Sequence, residues 1–246
     1  MAKFNTIFKR YEYKYLLNRA QRRYVEDHLA GRMRPDQYGE TTICNVYYDT
    51  PDYRLIRKSI EKPVYKEKLR LRSYGRATED GTVFLELKKK YDGIVYKRRI
   101  SLKESEAEQY LSGEAPLPKS GQIEREIDYF RWYYGTLQPA MYLCYDRIAW
   151  YSADDPNLRI TFDRNIRFRQ GDHSLESLPG GRQLLDVGQS LMEIKVAGAM
   201  PLWLVDILNE ANIRKTPFSK YGKAYSILLE EMLYPHTVGA RHALSA

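Results

Sequence analysis

The chain has 246 residues, a formal net charge of +8, 43% hydrophobic residues and 29% charged residues. It is long enough to bury a large core and too apolar for a disordered chain. Forty basic residues against thirty-two acidic ones favour a polyanionic partner: nucleic acid, anionic lipid, nucleotide or polyphosphate.

Residues 18–31 predict a helix, with Asn18 as its cap and Ala20, Tyr24, Val25 and Leu29 at helical spacing. A strand follows at 41–48. Thr50-Pro51-Asp52 opens a short helix through residue 60, with the proline in its first turn. Residues 64–74 read as a strand, and 82–90 and 94–102 as a hairpin turning at Tyr91-Asp92-Gly93. Helices are expected at 103–112 and 123–134, the second with Ile127, Phe130 and Trp132 among its apolar positions. Strands at 138–150 and 157–169 precede a polar, Gly-rich stretch, 170–188, expected to be a mobile loop. A last strand at 189–196 and helices at 201–212 and 219–233 lead to a frayed tail, 235–246. We read 1–234 as one domain.

Strands and helices do not alternate as in a doubly wound sheet, so the class is α+β with antiparallel pairing. No GxGxxG and no GxxxxGK[ST] occurs, which removes the two familiar glycine-rich phosphate loops. Cys44 and Cys144 lie in apolar runs without a CxxC, and His28, His173, His236 and His242 have no metal-ligand spacing. No segment has the length and apolarity of a membrane span or the core of a signal peptide. A cytoplasmic protein with reduced thiols and no direct membrane insertion is expected.

The strands carry charge on one face. Side chains alternate across a strand, so 64–74 presents Lys66, Lys68, Arg70 and Arg72 on one side and Glu67, Leu69 and Leu71 on the other. Glu86, Lys88 and Lys90 share a face opposite Val83, Leu85 and Leu87. The same two-sidedness recurs with Lys97 and Arg99, with Arg159, Thr161 and Asp163, and with Glu193 and Lys195. Either the ionic face is open to water, or the sheet curls into a barrel with an ionic interior and helices outside. A barrel of about eight strands leaves room for one narrow ligand. Taken singly, each carboxylate fits a surface salt bridge of small worth. As a set, Glu12, Glu86 and Glu193 among so many cations fit a site for phosphate and a divalent metal. The 22 tyrosines suit a sheet facing a wet interior.

The ordered motifs resemble a known family. Arg10-Tyr11-Glu12-Tyr13-Lys14-Tyr15, Tyr47-Tyr48-Asp49-Thr50, Lys68-Leu69-Arg70-Leu71-Arg72-Ser73-Tyr74-Gly75, Glu86-Leu87-Lys88, Arg147-Ile148-Ala149, Arg159-Ile160-Thr161-Phe162-Asp163, Met192-Glu193-Ile194-Lys195 and Phe218-Ser219-Lys220-Tyr221 together resemble the VTC polyphosphate polymerase domain, one of the CYTH-like triphosphate tunnel metalloenzymes. The resemblance implies an antiparallel eight-stranded β-barrel tunnel with flanking helices. It implies transfer of the ATP γ-phosphoryl group to a growing polyphosphate chain, with Mn²⁺ or Mg²⁺ as cofactor. Carried over by motif, Lys14, Arg70, Arg72, Lys88, Lys97, Arg147, Arg159 and Lys195 bind phosphates, with Arg70, Arg72, Lys88 and Lys220 in catalytic roles. Ser219 and Lys220 close one end of the tunnel. Glu193 holds the metal, and Glu12 and Glu86 orient lysines or support it. Lys66 and Lys68 extend the positive field at a tunnel mouth.

Two positions depart from the relatives. Arg10 stands where CYTH triphosphatases begin a Glu-x-Glu-x-Lys pattern, which favours the polymerase branch. Pro217 stands where eukaryotic polymerases carry a lysine, with Lys215 nearby. Neither an SPX-like region before the domain nor a membrane segment after it is expected, so translocation of product would need a separate membrane partner. The alternatives are a tripolyphosphatase or nucleoside triphosphatase on the same tunnel, and a non-catalytic polyphosphate or nucleotide sensor. A nucleic-acid partner is disfavoured, because interleaved carboxylates repel a long phosphate backbone and no nucleic-acid-binding motif occurs.

Overall fold

The computed structural model describes residues 11–92 and 94–234. Arg10, Gly93 of the expected turn, and the tail 235–246 lie outside the described residues. The chain forms β1 (Tyr11–Leu17), α1 (Arg19–Leu29), β2 (Met33–Pro35), β3 (Thr41–Asp49), α2 (Arg54–Ile60), β4 (Tyr65–Tyr74), β5 (Thr82–Tyr91), β6 (Ile94–Lys103), α3 (Glu104–Ser112) and α4 (Gln122–Tyr134). β7 (Gln138–Ser152), β8 (Arg159–Arg169), β9 (Arg182–Gln183), β10 (Ser190–Val196), α5 (Leu202–Glu210) and α6 (Lys220–Leu233) complete it.

One antiparallel sheet runs β1-β10-β8-β7-β3-β4-β5-β6, with β2 paired to β7 and β9 to β8. The path has the expected eight strands. Its ends are not joined by backbone hydrogen bonds among the described residues. The sheet curls instead until side chains bridge the gap: Lys88 on β5 pairs with Glu12 on β1 at 3.6 Å. The result is barrel-like.

Alternation sorts the two faces. The outer face of β3 to β6, with Val46, Leu69, Leu71, Leu85 and Leu87, packs on Ala107 and Tyr110 of α3 and on Ile127 and Phe130 of α4. The outer face of β1, β8 and β10, with Tyr15, Leu17, Phe162 and Ile194, packs on Val25 and Leu29 of α1 and on Leu204 and Ile207 of α5. Each such fully buried side chain contributes about 1.5–3 kcal/mol.

The third cluster corrects the expectation that every helix lies outside. Ile43, Tyr47, Leu143, Tyr145 and Leu191 point from the inner face, where they pack on Ile56 of α2 and on Tyr221 and Ala224 of α6. These two helices therefore plug part of the barrel interior. Asp49 ties them together. Its carboxylate accepts from the backbone N–H of Leu55 and Ile56, at 2.8 and 3.0 Å, and from the Tyr221 hydroxyl at 2.9 Å.

Local signals explain most boundaries. Asn18 caps α1 in a full capping box with Gln21. Ser219 caps α6, its Oγ accepting from the Gly222 N–H at 3.1 Å. Three expectations need correction. Pro51 precedes α2 in a turn rather than entering its first turn; the N-cap position is Tyr53, in the left-handed region at φ 59° and without a side-chain cap bond, and Asp49 supplies the missing acceptor. Trp132 is 74% exposed, whereas Ile127 and Phe130 are buried. The 170–188 stretch is not a free loop: Leu175 and Leu184 are buried, Leu175 O accepts from Ala77 N–H, and β9 pairs with β8. The strand at 11–17 and the short β2 and β9 were not expected. No helix among the described residues is long and apolar enough to cross a membrane.

Candidate functional site

The inner face collects the charges of seven strands. On β4 and β5, in register Arg70↔Glu86, and on β6, in register Glu86↔Arg99 and Lys88↔Lys97, the side chains surround one carboxylate. Glu86 is almost fully buried and receives Arg70 at 2.5 Å, Lys97 at 2.5 Å, Arg72 at 4.0 Å, and Arg99. Burial alone would raise its carboxyl; Arg70, Arg72 and Lys97 outweigh that and hold it far below the usual range. The register also places Lys97 on the inner face beside Arg99.

The two arginines of β4 are fixed from the inner face of the neighbouring strands. Arg72 donates to Asn45 Oδ1 at 2.9 Å and to the Tyr145 hydroxyl at 3.1 Å. Arg70 donates to the Tyr47 hydroxyl at 3.3 Å. A guanidinium with a fixed plane presents its remaining N–H groups in a set direction, which suits bidentate recognition of phosphate.

The second group lies on β1, β10, β8 and β7, closed by the N-terminus of α6. Arg147 forms a two-pronged pair with Asp163, at 2.5 and 2.7 Å. Lys220 reaches the same carboxylate at 2.5 Å and Glu193 at 3.4 Å, and its Nζ sits 4.5 Å from the Tyr145 ring centroid. Glu193 also pairs with Lys14 at 3.6 Å and Arg147 at 3.4 Å. Glu12 pairs with Lys14 at 3.2 Å and with Lys88 across the gap. Burial opposes ionisation of all three acids, and the surrounding cations prevail: Lys88 and Lys14 lower Glu12 to about 2, Lys220, Lys14 and Arg147 lower Glu193, and Arg147 and Lys220 lower Asp163. Lys220 is itself raised, since Asp163 and Glu193 overcome the effect of burial.

Lys195 and Arg159 stand side by side in register on β10 and β8. Burial lowers the Lys195 amine against the pull of Glu193 and Glu12. The Arg159 guanidinium lies 4.6 Å from the Tyr151 ring centroid, and its buried Nε has no hydrogen-bond partner among the described residues. An N–H in that condition is ready for an incoming acceptor.

Glu12 and Glu193 share Lys14, whereas Glu86 shares no ion-pairing cation with either among the described residues. The described residues hold no cluster of three metal-ligating side chains. Lys68 Nζ donates to Ser219 Oγ at 2.9 Å, at the start of α6. Lys66 turns to Ser59 O at 3.0 Å. The sequence reading gave no role to Asp163, Tyr47, Tyr145, Asn45 or Arg99. Asp163 and Arg99 were visible as charged positions on the right strand face. Tyr47, Tyr145 and Asn45 were not, because an uncharged side chain in an apolar run carries no mark of which face is wet.

Comparisons with known proteins identify the family and the fold. Residues 9–229 match the family model of the VTC domain. A candidate adenylate cyclase from Bacillus halodurans superposes with a TM-score of 0.53 at 15% identity, covering 86% of this chain and 95% of that one. A candidate adenylyl cyclase from Hippeastrum, described as having a dominant triphosphatase activity, superposes with a TM-score of 0.52 at 15% identity, covering 87% of this chain and 94% of that one. At such identity the likeness establishes a shared fold. No curated protein is significantly similar to the chain in sequence.

Proposed function

The chain belongs to the VTC domain family, and from that premise we propose that it is a polyphosphate polymerase, transferring the γ-phosphoryl group of ATP to a polyphosphate chain inside the cation-lined barrel. The observation that carries this reading is Lys220. It opens α6 inside the barrel and is held by Asp163 and Glu193 against the inner wall where Lys14 and Arg147 converge.

Phosphoryl transfer asks the protein to align donor and acceptor and to neutralise charge. Arg70, Arg72, Lys88 and Lys97 on one wall, with Arg147, Arg159 and Lys195 on the other, bind the phosphates. Their fixed donors act in a confined space where charge is poorly screened. Glu86 serves as the counter-ion that keeps Arg70, Arg72, Lys97 and Arg99 together rather than as a metal ligand. Lys220 and Ser219 orient the terminal phosphate of the acceptor, which attacks the γ-phosphorus as ADP leaves. Glu193 and Glu12 fit a hard divalent cation: two carboxylates plus phosphate oxygens and water form the shell that Mg²⁺ or Mn²⁺ prefers. Held there, such a cation would supply positive charge that offsets the charge of the phosphates and of the leaving group.

Protein incubated with ATP and Mn²⁺ should form chains resolved on a gel. Lys220→Ala should reduce synthesis at least about 100-fold and keep most nucleotide binding; full synthesis by that variant would remove the role. The likeness to the Hippeastrum protein favours a second reading, hydrolysis of tripolyphosphate or a nucleoside triphosphate. Release of orthophosphate without chain growth would decide for it.

A further inference from the structure

Lys68 differs from the barrel lysines that meet a carboxylate. Lys14 lies 3.2 Å and Lys88 3.6 Å from Glu12, Lys97 lies 2.5 Å from Glu86, and Lys220 lies 2.5 Å from Asp163. Lys68 instead donates to the uncharged Ser219 hydroxyl. The charges facing it are cations: Lys66 and Arg70 on β4, Lys88 on β5 and Lys14 on β1. Burial and these four cations push its amine down to about 7.

Its partner is placed to bind an anion with it. Ser219 Oγ accepts from the Gly222 N–H and from Lys68. Both lone pairs of the oxygen are then engaged, and the hydroxyl hydrogen is left to donate. Lys14 Nζ donates to the neighbouring Phe218 O at 3.0 Å, so two amines and one hydroxyl converge on the start of α6.

We propose that Lys68 and Ser219 form a phosphate subsite at the start of α6, and that Lys68 takes up a proton as the phosphate enters. This rests on the phosphate-binding reading of the barrel and adds to it a protonation step within binding. The physical reason is direct. A phosphate oxygen beside Lys68 supplies the negative partner that the residue lacks, and it offsets the repulsion from Lys14, Lys88, Lys66 and Arg70. The charged amine then becomes the favoured form.

The test is calorimetric titration with inorganic tripolyphosphate, without metal, between about pH 6.5 and 8.5, in buffers of unlike ionisation enthalpy. Lys68→Arg keeps a cation that stays protonated throughout. Where the free amine is already protonated, the two proteins should bind alike. At higher pH the wild type must take up a proton to bind, so its affinity relative to Lys68→Arg should fall by up to about tenfold per pH unit. Lys97 and the ligand's own phosphates titrate in both proteins, so the ratio isolates Lys68. Lys68→Met should bind at least about tenfold more weakly at the acid end. A ratio that stays constant with pH, equal proton uptake by wild type and Lys68→Arg, or unweakened binding by Lys68→Met would overturn this inference and leave the barrel reading standing. Failure of the wild type to bind tripolyphosphate would overturn both.

Discussion

The two walls of the barrel hold their charge differently. On β4 to β6 a single buried carboxylate, Glu86, faces Arg70, Arg72, Lys97 and Arg99. On β1, β10, β8 and β7 three carboxylates, Glu12, Glu193 and Asp163, face Lys14, Lys88, Arg147 and Lys220. The first wall has a cation surplus, four cations around one acid. The second wall also carries Arg159 and Lys195, but its core beside α6, where Arg147 and Lys220 meet Asp163 and Glu193, is balanced and very dry: the Asp163, Lys220 and Arg147 side chains are 0%, 9% and 12% exposed. Surplus charge suits a binding surface, and balanced charge suits a fixed framework. The second wall fixes the position from which α6 presents Lys220.

This contrast predicts unequal costs of removing an acid. Asp163→Asn leaves Arg147 and Lys220 buried with Glu193 as their remaining near acid. Breaking a pair that dry should cost about 3–5 kcal/mol of folding stability, measured by denaturant unfolding. Glu86→Gln should cost less, about 1–3 kcal/mol, because Lys97 and Arg99 can relax toward water. The variants should also part when tripolyphosphate is added. An anion on the surplus wall replaces the lost counter-ion, so the ligand should raise the melting temperature of Glu86→Gln more than that of the wild type. It should restore little in Asp163→Asn, whose uncompensated cations are sealed against α6. Equal losses and equal rescue would erase the distinction between the walls.

The division into walls was only half legible in the sequence. Period-two alternation is set by strand geometry, so the inward set Arg70, Arg72, Glu86, Lys88, Arg159, Glu193 and Lys195 could be read without tertiary information. What lies across the barrel could not. Alternation gives a face and never its partner, so Lys68 stayed an anonymous cation until α6 was placed beside it. An amphipathic helix likewise shows that it has an apolar side, not which side of the sheet will cover it, and this hid the packing of α2 and α6 on the inner face. Trp132 failed for a simpler reason. Ile127, Phe130 and Tyr134 form the inward row of α4 at helical spacing, and Trp132 falls off that row. Residues 11–17 alternate tyrosine with charge, too polar to stand out as a strand, yet β1 supplies Glu12 and Lys14. In 170–188, Leu175 and Leu184 anchor a glycine-rich segment by contacts distant in sequence.

An effect of opposite sign comes from a carboxylate that lacks what both walls possess. Glu104, at the start of α3, is buried, and its Oε2 has no hydrogen-bond partner among the described residues. No cation among the described residues offsets its burial, and Glu108 and Glu176 add repulsion, so its carboxyl is raised to about 7. The sign is opposite to that of the barrel acids. A carboxyl raised in the folded state binds its proton more tightly there than in the unfolded chain, so stability falls as pH rises from the ordinary carboxylate range toward 7 and then levels off. Glu86, Glu193 and Asp163, lowered by their cations, lose their contribution only in acid. Glu104→Gln should therefore match the wild type near pH 4 and exceed its stability by about 1–3 kcal/mol near pH 8, by denaturant unfolding at the two pH values. A variant no more stable at pH 8 would show that water reaches Glu104. Burial without a partner would then not be what separates it from the acids of the barrel, whose ionised state the cations around them maintain.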